Sequence, residues 1–82
     1  MTLNQLRYIV KIAEVGNISE AAQKLFISQP SLTNAVHSLE DQMHVTIFNR
    51  TNKGVTLTNE GKEFLSYARQ VLEQADLLEA RF

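Results

Sequence analysis

A group of small hydrogen-bonding side chains is the part of the sequence whose chemistry is easiest to read. They recur at three- and four-residue spacing, as on one face of a helix: Pro30, Thr33, Asn34 and His37, preceded by Gln29 and Ser31. Small polar groups at the start of a helix suit the major groove of DNA, where donor and acceptor patterns distinguish all base pairs. The pattern alone leaves base contact and an ordinary solvated helix face as equal alternatives.

A second polar segment carries positive charge. Val45, Ile47, Val55 and Leu57 alternate with polar residues on either side of residues 49–54, which predicts two short strands joined as a hairpin. The predicted tip holds the basic residues Arg50 and Lys53. A β wing of this kind would contact a phosphate backbone or a minor groove.

The sequence offers little for metal or catalytic chemistry. His37 and His44 are seven residues apart, about 10.5 Å along a helix, so one metal ion could not bind both without other ligands. His37 is instead a candidate phosphate contact, and Glu40 and Asp41 are predicted to be solvated. No Gly-rich phosphate loop, activated serine or paired carboxylates in a plausible pocket is present. We therefore expect no cofactor, no metal site and no enzymatic activity.

Three helices are predicted to hold these groups. Helix 1 spans Leu3 to Val15, helix 2 runs from Glu20 to about Phe26, and helix 3 spans Gln29 to about Met43. Their N-terminal caps are a Thr2 and Gln5 capping box, Ser19 and Ser28, and Gly16 ends the first helix. The buried stripes are predicted to contain Leu3, Leu6, Ile9, Val10 and Ala13 in helix 1, and Leu32, Val36, Leu39 and Met43 in helix 3. Ile12 is apolar but lies off the stripe, which indicates that helix 1 is covered on a second side as well.

The last third of the sequence predicts one long helix, which begins after Thr58. Apolar and small residues recur along it as a heptad seam: Gly61, Phe64, Ala68, Val71, Ala75, Leu78 and Phe82. Such a seam on so small a domain favours a homodimer through this helix. The alternative is a core stripe folded back on helices 1 to 3, and the mass in solution would distinguish the two.

Length and composition set further bounds. The 82 residues suffice for one domain, they include no cysteine, and no apolar run is long enough for a membrane span, so a cytoplasmic protein is expected. The net charge of -1 is unusual for a nucleic-acid binder. Residues 1–59 hold five basic and four acidic side chains, whereas residues 60–82 hold three basic and five acidic ones. We expect modest affinity for DNA with a shallow salt dependence.

The sequence as a whole resembles the N-terminal domain of LysR-type transcriptional regulators. The resemblance covers essentially all 82 residues and rests on the segments LNQLRYIVKIAEVGNISEAAQKL, SQPSLT and IFNRTNKGVTLTNEG. It implies a mainly α winged helix-turn-helix over residues 1–58 and a linker helix over residues 59–82 that pairs with its mate in a dimer. In this family a larger domain follows, which binds a small-molecule effector and completes a tetramer. That domain is absent from this sequence.

The resemblance also implies roles for individual residues. The base-reading positions fall on Gln29, Pro30, Ser31, Thr33 and Asn34, and the backbone contacts of the wing fall on Arg50, Thr51 and Lys53. Dimer contacts are expected from Phe64, Ala68, Val71, Ala75 and Leu78. The implied function is sequence-specific binding of double-stranded DNA at an interrupted palindrome. A helical protein-interaction module that never meets DNA is the alternative.

Five residues depart from the family pattern: Asn34, Ala35, His37, Ser38 and His44. Asn34 occupies a position where arginine is frequent, and His44 stands where glycine is usual. Arginine prefers guanine O6 and N7, whereas asparagine pairs with adenine N6 and N7. We therefore expect more A·T at the base pair that Asn34 contacts.

Overall fold

Four helices and one β-hairpin make up the computed structural model, which describes residues 1–82. The elements in chain order are α1 (Leu3–Val15), α2 (Ile18–Leu25), α3 (Gln29–Met43), β1 (Phe48–Thr51), β2 (Gly54–Leu57) and α4 (Asn59–Arg81). This order confirms the mainly α winged helix-turn-helix predicted from the sequence. None of the four helices combines the length and the apolar character that crossing a membrane requires.

Local capping chemistry explains where most helices begin and end. The Thr2 hydroxyl accepts the N–H of Gln5 at 3.1 Å, and the Gln5 side chain accepts the N–H of Thr2 at 2.9 Å, so the predicted capping box is present. Gly16 ends α1 in the left-handed conformation, with a φ of 76°. Ser28 and Thr58 cap α3 and α4 as predicted.

The predicted start of the second helix was wrong. The cap is Asn17, whose side-chain oxygen accepts the N–H of Glu20 at 2.9 Å, and the helix begins at Ile18 rather than at Glu20. Starting the helix earlier brings Ile18 into the core, where it is 8% exposed. Ser19 lies inside the first turn, and its hydroxyl is therefore not used as a cap.

Apolar side chains from all four helices and the hairpin form one core. It consists of Leu6, Ile9, Ile12, Ile18, Ala21, Ala22, Leu32, Val36, Leu39, Ile47, Phe48, Ala68 and Leu72. Ile12, which lies off the predicted stripe, is fully buried, so α1 is covered on a second side as predicted. Leu3 and Met43 were predicted to be buried but are 42% and 43% exposed.

The hairpin is tighter than predicted. Four residues of each strand pair in antiparallel register, from Phe48 opposite Leu57 to Thr51 opposite Gly54, so only Asn52 and Lys53 remain in the loop. Arg50 therefore lies in β1 rather than at the tip. Val45 and Ile47 precede the strand, contrary to prediction.

A carboxylate from α3 explains why the strand begins late. Glu40 is half-buried, and its side chain accepts the backbone N–H groups of Ile47 at 2.6 Å and Phe48 at 3.4 Å. The predicted solvation of Glu40 was wrong, because its carboxylate occupies the backbone donors that a longer strand would have to pair. Glu40 thus connects the end of α3 to the start of the wing.

Two glycines allow the hairpin and α4 to lie close to the rest of the domain. The N–H of Val55 donates to the Gly16 carbonyl at 3.1 Å, and a Cβ on Gly54 would overlap that same carbonyl. At the other end of the hairpin, a Cβ on Gly61 would overlap the Ile47 carbonyl, which accepts the N–H of Thr58 at 2.9 Å. The wing is therefore fixed by backbone contacts at both of its ends.

Candidate nucleic-acid interface

The starts of α2 and α3 and the wing enclose a shallow concavity of about 280 Å³, here named the polar groove. It is lined by Asn17, Ile18, Ser19, Gln29 and residues 50–55. Two of these residues, Arg50 and Lys53, are basic, and none is acidic. The net charge of -1 therefore does not describe this surface, which is locally positive.

The first turns of α3 form one side of the interface. Ser28 accepts the N–H of Ser31 at 3.2 Å, and its hydroxyl donates to the Ser31 hydroxyl at 2.8 Å. Pro30 fits this first turn because a backbone N–H there has no partner within the helix. The predicted base-reading positions are all exposed except Thr33, which is half-buried. The fold thus presents the predicted face of α3 to the outside.

Gln29 is held from the neighbouring helix. The Ser19 hydroxyl donates to the Gln29 side-chain oxygen at 2.6 Å. The N–H groups of Ile18 and Ser19, at the start of α2, have no acceptor within the helix and carry the positive end of its dipole. This part of the groove therefore offers hydrogen-bond donors beside the exposed start of α3.

Arg50 connects the wing to α3. One of its guanidinium nitrogens, Nη2, donates to the Thr33 hydroxyl at 3.5 Å. Neither Arg50 nor Lys53 forms an ion pair with a carboxylate, whereas Arg7, Lys11 and Lys24 do. No carboxylate of the chain therefore competes with an external anion, such as a phosphate, for the two basic side chains of the wing.

The wing tip is ordered by Thr51. Its hydroxyl donates to the Gly54 carbonyl at 3.2 Å and accepts the N–H of Lys53 at 3.2 Å. Thr51 is exposed, as its predicted backbone contact requires, but its hydroxyl already has internal partners. Within the protein it shapes the turn that carries Lys53.

The two histidines lie outside the polar groove. His37 is exposed on α3, and His44 caps the C-terminus of that helix in the left-handed conformation, with a φ of 54°. His44 lines a separate hollow together with Glu40, Asp41 and Glu60. No group of three or more histidine or carboxylate side chains is close enough to hold a metal ion.

Two residues that line the polar groove, Asn17 and Ser19, were not predicted to lie there. Ser19 was predicted only as the cap of the second helix. The signal for Asn17 was present, because asparagine is as good a cap as serine and lies two positions earlier. The bond between Ser19 and Gln29 joins residues ten positions apart. No local pattern could have indicated it.

The predicted seam of α4 is divided between two environments. Gly61 and Ala68 are buried within the chain, and Ala68 retains only 3% of its surface, so it offers almost nothing to a partner. Phe64 and Ala75 are half-buried, while Val71 and Leu78 are 41% and 63% exposed. The folded-back alternative therefore describes the first half of the helix better than the second.

An apolar hollow of about 280 Å³ adjoins the exposed part of this seam. Its lining is entirely hydrophobic: Met1, Leu6, Met43, Phe64, Tyr67, Ala68 and Val71. On the opposite side of α4, an ion pair between Arg7 and Asp76 at 3.6 Å connects the helix to α1. A second hollow, of about 880 Å³, adjoins this ion pair, and Val10, Leu25 and Leu77 are among the residues that line it. Apolar surface is therefore left uncovered on both sides of α4.

The known proteins that are similar to this chain are helix-turn-helix transcriptional regulators. Residues 3–62 match the family described as "Bacterial regulatory helix-turn-helix protein, lysR family". The HTH-type transcriptional regulator ClcR of Pseudomonas putida is 43% identical over 81 residues, which are 99% of this chain and 28% of ClcR. The chain spans about a quarter of the length of the curated relatives it matches.

Solved structures with the same fold include two complexes with DNA. The CbnR_DBD–DNA complex has a TM-score of 0.94 at 38% identity, covering 99% of this chain and 93% of that chain. The BenM_DBD complex with benA site 1 DNA has a TM-score of 0.93 at 33% identity, covering 99% of this chain and 91% of that chain.

Proposed function

Because the chain belongs to the LysR family of bacterial helix-turn-helix regulators, we propose that it binds double-stranded DNA sequence-specifically and regulates transcription. The polar groove is the main support for this proposal. It places the exposed start of α3, with its hydrogen-bonding side chains, beside two basic side chains that form no ion pair, and no acidic residue lines it. The similar CbnR_DBD and BenM_DBD structures, which hold DNA, support it. The matched relatives are named as regulators, and we assign no catalytic activity.

In this proposal α3 enters the major groove. Gln29, Pro30, Ser31, Thr33 and Asn34 face the base edges, where amide and hydroxyl groups can distinguish base pairs. His37, two turns into the helix, lies near the phosphate backbone. Arg50 and Lys53 contact phosphates from the wing, and Thr51 holds the tip in shape. The same contacts make affinity fall as salt rises.

Asn34 makes a specific contribution to the proposed sequence preference. It is exposed on α3, and its amide forms no hydrogen bond within the protein, so both its donor and its acceptor are available. An asparagine amide can bond to adenine N6 and N7 together. We expect an A·T pair at this contact, and recovery of guanine there would contradict the assignment.

The uncovered apolar surface of α4 favours a dimer. Phe64 and Val71 line the apolar hollow, and the seam continues along the helix through Ala75 to Leu78, which is exposed. Two-fold symmetry then requires an interrupted palindrome, with half-sites about 34 Å apart or a multiple of that distance. Light scattering should give twice the chain mass of 9.3 kDa, and Leu78→Asp should return it to one chain mass.

The longer relatives suggest the setting of this domain. In a full-length regulator we propose that a further domain binds a small-molecule effector and assembles a tetramer, with the present domain as the DNA reader. Such a protein would act in the cytoplasm, where bacterial DNA lies.

Selection of bound sequences from a random duplex pool tests the proposal. We expect a two-fold symmetric motif from the wild-type domain, a motif that has lost its preference at one position of each half-site from Gln29→Ala, and an unchanged motif from Ser66→Ala, an exposed serine on α4. Failure to enrich any motif, even with a covalently linked dimer at low salt, would favour the protein-interaction module instead.

A further inference from the structure

Ser19 is the one side chain of α2 that bonds to a predicted base-reading residue. Its hydroxyl donates to Gln29 Oε1 at 2.6 Å, between residues that belong to different helices. Because Asn17 caps the helix, Ser19 is not needed for capping. Both Ser19 and Gln29 line the polar groove, so their bond lies where DNA is proposed to bind.

The bond fixes which part of the Gln29 amide is free. Oε1 is turned towards Ser19, and Nε2, on the other side of the carboxamide, donates to no group of the protein. A free glutamine at the start of a helix would sample several rotamers, and ordering it on binding would cost conformational entropy. A side chain already held in place avoids most of that cost.

We propose that Ser19 is a positioning residue, which orients the Gln29 amide so that its Nε2 donor meets an acceptor on a base edge, such as a purine N7. This inference rests on the proposed DNA-binding function. Ser19 acts through Gln29, so its effect falls on the discrimination between base pairs at one position of the site. A serine that only contacted phosphate would instead change affinity for every sequence alike.

A double-mutant cycle tests the proposal. Ser19→Ala, Gln29→Ala and the double variant are titrated by fluorescence anisotropy against the selected duplex, duplexes altered at the Gln29 base pair, and a scrambled duplex. We expect Ser19→Ala to lower discrimination at that base pair about three- to tenfold while leaving affinity for the scrambled duplex unchanged. In the Gln29→Ala background the same substitution should have no effect, and Ser19→Thr, which keeps the hydroxyl, should restore discrimination.

Matched controls separate this role from the alternatives. Ser66→Ala removes an exposed serine hydroxyl on α4 and should change neither discrimination nor thermal stability. An equal loss of affinity for all duplexes in Ser19→Ala, or an undiminished loss in the Gln29→Ala background, would overturn the proposal. If the wild-type domain itself failed to discriminate between sequences, the proposed function rather than the role of Ser19 would be refuted.

Discussion

Substitution of Gly54 by alanine should release the wing from the turn between α1 and α2. Gly54 has a φ of 139°, a conformation that is strained for any residue with a Cβ, and the added Cβ would overlap the Gly16 carbonyl. The neighbouring N–H of Val55 donates to that same carbonyl at 3.1 Å. Any shift that relieves the overlap therefore weakens the hydrogen bond that docks the wing.

Gly16 provides a matched comparison for the size of the effect. It also has a positive φ, 76°, but a Cβ there would meet no atom within 4 Å. Gly16→Ala should therefore cost only the left-handed backbone strain, about 1 to 2 kcal/mol. Gly54→Ala adds loss of a hydrogen bond, about 1 kcal/mol, and an overlap of about 1 to 3 kcal/mol. The sum of about 3 to 6 kcal/mol is a large part of the stability of a small domain.

Urea unfolding of both variants measures these costs, and amide hydrogen exchange at Val55 reports docking directly. We expect Gly54→Ala to lose at least about 2 kcal/mol more than Gly16→Ala and to exchange the Val55 amide much faster. Equal losses in the two variants, with the Val55 amide still protected in Gly54→Ala, would refute the view that close backbone contact holds the wing.

Three further substitutions test individual contacts. Glu40→Ala should lower the free energy of unfolding by about 2 kcal/mol in urea titrations, because two backbone N–H groups lose their acceptor, whereas Asp41→Ala should change little. Gly61→Ala should destabilise the domain by about 2 kcal/mol in the same assay, because the added Cβ would overlap the Ile47 carbonyl. Alanine is normally favoured over glycine in helices, so a gain in stability would contradict this packing. Lys53→Ala should weaken binding to all duplexes alike and reduce the slope of log affinity against log salt by about 1, an effect not expected of Arg81→Ala at the far end of α4.

Helix bounds could be predicted well wherever a single local rule governs them. The capping box of Thr2, the left-handed Gly16 and the caps Ser28 and Thr58 were all evident from sequence and are confirmed. The start of α2 was predicted wrongly, because Asn17 and Ser19 are both good caps and the burial of Ile18 decides between them. Local propensity leaves such a choice to tertiary packing.

The start of the hairpin and the burial of the α4 seam could not be predicted from local sequence either, because contacts between residues far apart in the chain determine them. The late start of β1 depends on Glu40, which is seven residues away and accepts the Ile47 N–H. The division of the α4 seam depends on α1, against which Ala68 and Leu72 pack, while Leu78 lies exposed further along the helix. Heptad spacing alone cannot show which apolar residues of a helix pack against the core of the same chain and which remain exposed.

The exposure of the predicted α3 residues could be read from the sequence because helical periodicity fixes which side chains share a face. Gln29, Asn34 and His37 are exposed on α3 as their spacing required. The bonds that organise them, from Ser19 to Gln29 and from Arg50 to Thr33, join separate elements. Their existence depends on the fold, and only the structure reveals them.

The exposed start of α3 and the polar groove beside it are proposed to read DNA sequence. The most direct test is a pair of fluorescence-anisotropy titrations of the wild-type domain, one with the selected duplex and one with a scrambled duplex, at two salt concentrations. We expect the selected duplex to bind at least about a thousandfold more tightly, with both affinities falling as salt rises. Equal affinity for the two duplexes at both salt concentrations would contradict sequence-specific recognition by this domain.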